Sequence, residues 1–257
     1  MEIASEVRIW RYMDLARFAS LLATESLYFA CPTQFRDPFE GFLPRSHIEA
    51  ESKMIQQVVM DPILSLRQQF ADRALPLQRF DELVNKLASE VRTANHKAVS
   101  KFGISCWHES EHESDAMWKL YSASGQAIAI ESTVGQLKAS LGNIDGLIVD
   151  RVRYMDFDSD PIEKGHRHYR LFVKRKCFEH EREIRATVPL PMEGNGVGIP
   201  CDLDALITCV HVSPLVEGFV RDAIEALCMG STHRLKKAVH QSSLYRAPDY
   251  AIEVKTG

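Results

Sequence analysis

The sequence predicts an α+β fold: a single domain of short mixed or antiparallel strands with flanking helices and a helical insertion over about 44–100. Three observations predict it. Short apolar stretches with strand character alternate with amphipathic stretches of helical period. From Pro44 to Ser100 the apolar residues recur at helical intervals only. No internal repeat, low-complexity run or linker divides the chain.

The elements follow in order. RIWRY at 8–12 is a first strand, and MDLARFASLLATE supplies a helix whose Leu15, Phe18, Leu21 and Leu22 share one face. ESLYFA returns as a second strand. In the insertion, Met54, Ile55, Val58 and Val59, then Ile63, Leu66 and Phe70, then Phe80, Leu83, Val84 and Leu87 keep helical spacing, with breaks near Pro62 and Pro76. FGISCW, AIAIES, GLIVDRVRYMDF, EIRATVPL and LITCVHV are the later strands. Helices separate them: one capped by Ser114, one opening near Ser132, one over roughly 161–176, and one after Pro214 carrying Leu215, Phe219, Ile224 and Leu227. PMEGNGVGIP, rich in Gly and Pro, is expected to be a loop without regular structure.

With 257 residues, 45% of them apolar, the chain can bury a sizeable core. A net charge of −4 argues against bulk attraction to nucleic acid. The cations between Lys164 and Arg185 form either a basic patch or a solvated helix face. No apolar run approaches the length of a bilayer span, and MEIASEVRIWRY has neither a basic start nor an apolar signal core. A cytoplasmic protein with no membrane partner is the expectation, and the oligomeric state is open. The six cysteines are scattered singly without a C-x-x-C pair, which reads as free thiols in a reducing compartment.

One stretch, HESEH at 108–112, satisfies H-E-x-x-H. In a zinc hydrolase that pattern needs a helix to bring both histidines to one metal. These residues have no apolar face, so a loop between strand and helix is expected, and no metal is expected in the protein. A hydrolytic metal held by Asp37, Glu40, His108 and His112 is a further reading, should those side chains meet in space.

Other clusters carry more chemistry. Alternation puts Trp10 and Tyr12 on one face of the first strand and Arg11 on the other, where its guanidinium meets solvent or clamps an anion in a cleft. In FRDPFEG, Asp37 before Pro38 suits a turn, Phe35 and Phe39 plug the core on both sides of it, and Glu40 could act as a base or a ribose ligand. Trp118 and Tyr121, one helical turn apart, pack in the core or stack on a ligand. Glu181, Glu183 and Arg185 alternate as the chain enters a strand, so all three face one way. They form a surface ladder or line a polar cleft.

Taken in order, W-R-Y, L-Y-F followed by F-R-D-P-F-E, F-G-I-S-C-W, M-W-K-L-Y, V-R-Y, K-C-F-E-H-E-R-E-I-R, V-H-V-S-P and V-H-Q-S-S-L resemble the domain of unknown function 2971 family. The resemblance covers nearly the whole chain apart from 44–100. Arg36 stands where that family usually shows Asn, and Phe178 where it shows Trp. The resemblance implies a prokaryotic protein of the kind carried with defence or mobile elements. An Arg on the first strand, aromatics on the next and a late E-x-E entering a strand are similar to ADP-ribosyltransferase-like folds. That similarity implies NAD as substrate and a protein or nucleic-acid acceptor. Arg11 would be the phosphate clamp, Tyr28 or Tyr12 a stacking surface, and Glu183 the catalytic carboxylate, assisted by Glu181. A non-catalytic sensor or interaction module, with the E-x-E-x-R ladder as a structural ion set, is the competing reading.

Overall fold

The computed structural model describes residues 2–55, 57, 61, 65, 99–121, 126–160, 168–191, 194–230 and 235–247. The expected helical repeat from Val58 to Leu87 lies outside the described residues. In chain order the elements are β1 (Arg8–Asp14), α1 (Leu15–Thr24), β2 (Ser26–Ala30), α2 (Arg45–Ile55), β3 (Phe102–Glu109), α3 (Asp115–Tyr121), β4 (Ala127–Thr133) and α4 (Val134–Leu141). They continue with β5 (Ile148–Arg151), β6 (Arg153–Met155), β7 (Val173–Arg175), β8 (Glu183–Pro189), β9 (Gly196–Pro200), α5 (Leu203–Leu206), β10 (Cys209–Val212), α6 (Gly218–Gly230) and β11 (Val239–Gln241). The class is α+β with mostly antiparallel strands, as the alternating patterns predict. The chain divides into two compact units, one of Met1–Leu27, Trp107–Gly142 and Ile199–Gly257, the other of Tyr28–Cys106 and Asn143–Gly198.

In the first unit β1 pairs antiparallel with β4 along its whole length and with the end of β3 through Ile9↔Glu109 and Trp10↔His108. β4 pairs antiparallel with β10, which carries β11 in parallel. Alternation divides the strands cleanly. Trp10, Tyr12, Ala127 and Ala129 pack with Met117 and Trp118 of α3 in one apolar cluster. The intervening Ile9, Met13, Ile128 and Ile130 are buried as well, so β1 and β4 are covered on both faces. Asp14 starts α1 by accepting a hydrogen bond from the Arg17 amide at 2.7 Å, and Phe18, Leu21 and Leu22 form its buried stripe.

In the second unit β2 pairs antiparallel with β3 through Ala30↔Ile104, β9 lies beside β2, and β8 lies between β3 and β5. β5 and β8 pair antiparallel from Ile148↔Thr187 to Arg151↔Ile184. β6 and β7 form a separate parallel pair in which Tyr154 lies opposite Lys174.

Several expectations are corrected. GLIVDRVRYMDF forms two strands, β5 and β6, in different pairings. The helix expected over 161–176 is absent from its described part, where a 3-10 turn at Tyr169–Phe172 leads directly into β7. PMEGNGVGIP ends as strand β9. Gly196 permits this: at φ +143 any Cβ would overlap the Phe29 carbonyl, so only glycine brings the backbone this close to β2. Leu215 and Phe219 are 68% and 67% exposed, and the buried stripe of α6 is Val220, Ile224 and Cys228. No helix among the described residues is long and apolar enough to cross a membrane. All six cysteines are free thiols, with Cys177 exposed.

Candidate functional site

The E-x-E-x-R segment builds a charged cluster inside the second unit. The 3-10 turn Lys176–Glu181 ends in a left-handed Arg182, φ 40, which turns the chain into β8. Glu183 and Arg185, two residues apart on β8, share a face as alternation requires. β7 brings Lys174 to the same place, with its ammonium 2.5 Å from Glu181 Oε2 and 2.6 Å from Glu183 Oε1. Arg185 donates from Nε to Glu183 Oε2 at 2.7 Å and holds Glu40 through two bonds of 2.5 and 3.2 Å. Its Nη1 also donates to the Leu171 carbonyl at 2.7 Å. The Arg185 side chain is fully enclosed, and those of Glu40 and Glu183 are 2% and 6% exposed.

Such burial is tolerable because every charge is paired and hydrogen-bonded. Burial opposes the ionisation of Glu183, yet Arg185, a hydrogen bond from Glu181 and Lys174 together hold its carboxyl well below the usual range. Glu181 behaves differently. Burial, reinforced by its hydrogen bond to the Glu183 carboxylate, pushes its carboxyl up to about 7 against the opposing pull of Lys174. The two carboxyls therefore share a proton that rests on Glu181 below neutrality. At 20% exposure the Glu181 side chain is the part of this cluster most open to solvent.

Around this cluster lie residues the sequence did not single out. Arg175 Nη2 pairs with Asp37 Oδ1 at 2.7 Å, and its guanidinium lies 4.3 Å from the Phe39 ring centre and 5.3 Å from that of Phe178. Its buried Nε has no hydrogen-bond partner among the described residues. Tyr154 accepts the Glu183 amide proton at 2.7 Å. Burial, reinforced by Glu183, pushes the Cys106 thiol well above its ordinary value. Reading V-K-R as the strand β7 would have exposed this set, because it places Lys174 and Arg175 immediately before E-x-E.

The remaining expected residues scatter. Asp37 holds its turn, accepting from the Phe39 amide at 3.0 Å, but Phe39 is 44% exposed and does not plug the core. Glu40 is committed to Arg185. Lys174 and Arg185 are interior, so the run of cations is not simply a solvated face. Tyr28 exposes its ring and donates its hydroxyl to the Asn195 carbonyl at 3.1 Å.

Arg11, Tyr12, Trp118 and Tyr121 belong to the first unit. Tyr12 is buried, accepts from the Ser114 amide at 2.8 Å and meets Trp118 edge-on, so it offers no stacking surface. Trp118 is core, its indole donating to Glu113 at 2.9 Å, and Tyr121 packs against the same cluster. Arg11 lies over the Trp107 ring at 5.7 Å. Cys201, whose thiol burial pushes up to about 11, feels its charge as an opposing influence.

HESEH has no helical face. β3 runs to Glu109, two residues beyond the apolar run FGISCW, so His108 lies on the strand, and His112 sits in an exposed bend. Asp37, Glu40, His108 and His112 do not form a metal-ligand group: the one such group among the described residues is Glu131, Cys209 and His211. No family model, curated protein or solved structure matches the chain, and the family resemblance rests on the order of its motifs.

Proposed function

We propose that the chain is a nucleotide-using enzyme that breaks the nicotinamide–ribose bond of NAD, as an ADP-ribosyltransferase or NAD hydrolase, with Glu181 as the working carboxylate. The observation that carries this reading is the carboxyl pair of Glu181 and Glu183. Glu183 is enclosed between Lys174 and Arg185, whereas Glu181, bonded to Lys174 at 2.5 Å, is 20% exposed and presents its carboxyl at the edge solvent reaches.

Cleavage of the C1′–N bond sends its electron pair to nicotinamide, and positive charge spreads over ribose C1′ and its ring oxygen. A fixed anion beside that centre stabilises it. Water or an acceptor nucleophile then bonds to C1′, and Glu181 takes the proton. Arg175, stacked on Phe39 and Phe178 with its side chain 31% exposed, supplies a guanidinium for a phosphate oxygen. These groups all belong to the second unit. The cellular role implied is that of a toxin or prokaryotic defence effector.

Incubating the protein with labelled NAD and a mixture of cell protein, RNA and DNA tests this. Nicotinamide release with label in free ADP-ribose or on an acceptor supports it, and release should rise as pH rises through about 7, where Glu181 ionises. A second reading, a non-catalytic sensor or interaction module, is favoured by the full engagement of Glu183 and Arg185. It predicts that Glu183→Gln changes stability or partner binding and that no nucleotide is turned over.

A further inference from the structure

The first unit gathers a different set of side chains, on the face of β4 and β10 that also carries Trp10. Cys209 lies directly opposite Glu131 in the antiparallel ladder, and His211, two residues on, shares its face. His211 Nε2 lies 3.0 Å from Glu131 Oε2, and one donor atom from each of the three residues falls within 4.8 Å of the others. The Glu131 and His211 side chains are each 16% exposed and Cys209 is 9% exposed, so an ion can enter from solvent.

We propose that Glu131, Cys209 and His211 bind one zinc-class divalent cation through a carboxylate oxygen, a thiolate and an imidazole nitrogen, leaving a fourth position for water or a ligand. The donor set selects the ion: thiolate and imidazole suit zinc or cobalt and disfavour magnesium or calcium. Tetrahedral bonds of about 2.0–2.3 Å separate donors by about 3.3–3.8 Å. His211 and Glu131 already stand 3.0 Å apart, and binding draws the three donors, now within 4.8 Å of one another, to that spacing by side-chain rotation.

The surroundings fit the same ion. Arg8 Nε approaches Glu131 Oε1 at 3.4 Å, orienting the carboxylate from behind while Oε2 faces His211. The Trp10 ring walls the imidazole with centroids 4.8 Å apart, and the exposed His240 stands in register with His211, its ring 6.1 Å away. A Glu–His hydrogen bond accounts for two of the three residues but not for Cys209, whose thiol among the described residues reaches the Ala238 and Val210 carbonyls at 3.4 and 3.6 Å. Burial, and secondarily Glu131, pushes that thiol up to about 11. Metal binding releases its proton to water and turns the sulfur into a ligand, so affinity rises with pH.

The test uses the untagged full chain, stripped with a chelator and titrated with Co²⁺ alone. One equivalent should bind with a thiolate-to-cobalt charge-transfer band that Zn²⁺ abolishes. Cys209→Ser should remove the band, His211→Ala and Glu131→Gln should each weaken binding at least about tenfold, and Cys177→Ser should change nothing. Circular dichroism checks that each variant is folded. If Cys209→Ser does not fold, wild-type protein decides: zinc must protect Cys209 from alkylation, located by mass spectrometry. A folded wild type without the band, a band that survives Cys209→Ser or disappears with Cys177→Ser, or alkylation of Cys209 unaffected by zinc overturns the proposal.

Discussion

Replacing Arg185 by Met probes the charged cluster most severely. The guanidinium donates four hydrogen bonds, to Glu183, twice to Glu40 and to the Leu171 carbonyl, from a side chain with no exposure. After substitution Glu183 keeps Lys174, but among the described residues Glu40 has no other cation in its ion pairs and stays buried. Breaking a buried pair in this way costs about 3–5 kcal/mol. For a chain of this size, that lowers Tm by about 6–20 °C. Removing the orphaned carboxylate as well, in Arg185→Met with Glu40→Leu, should recover about 1–3 kcal/mol, because an apolar pair carries no desolvation debt. Urea denaturation of the wild type, both single variants and the double variant closes the cycle. A loss below about 1 kcal/mol for Arg185→Met, or a double variant as unstable as the two singles summed, would refute the reasoning.

Three other outcomes follow from named contacts. Because the folded-state pKa of Glu181 is raised from 4.5 to about 7, its protonation stabilises the fold fully below 4.5 and that contribution is lost as pH rises through about 7; Glu181→Gln should flatten this slope in denaturation curves. Trp118→Ala empties the cluster beneath α3, where the side chain is 1% exposed, and should cost about 3–5 kcal/mol in the same assay. Gly196→Ala meets both a left-handed φ and the Phe29 carbonyl, and should destabilise by more than about 1 kcal/mol, whereas Gly194→Ala, with open space around it, should be nearly silent.

The parts of the fold that the sequence made legible are those governed by local periodicity. The Trp10–Tyr12 alternation, the Phe18, Leu21 and Leu22 stripe and the Ser114 start of α3 all place their residues as expected, because strand and helix geometry fixes which side chains share a face. Glu183 and Arg185 of the E-x-E-x-R ladder are legible in the same way, whereas Glu181 reaches the cluster from the 3-10 turn before β8, where strand alternation does not apply. The burial of the ladder was not legible. Whether a charge lies inside depends on partners brought from elsewhere, and Glu40 is 145 residues from Arg185 in sequence. For the same reason local pattern offers only a basic patch or a solvated helix face for the run that holds Lys174 and Arg175, and a helix for the segment that forms a 3-10 turn and a strand. The Glu131–Cys209–His211 group joins residues 80 positions apart through strand register, which no local pattern encodes.

Nicotinamide release from NAD, measured below and above pH 7 with wild-type protein and with Glu181→Gln of verified fold, tests the functional reading most directly. The account predicts turnover that rises with Glu181 ionisation and is lost in the variant. Turnover unchanged by Glu181→Gln, or none from the folded wild type with any acceptor present, would contradict it.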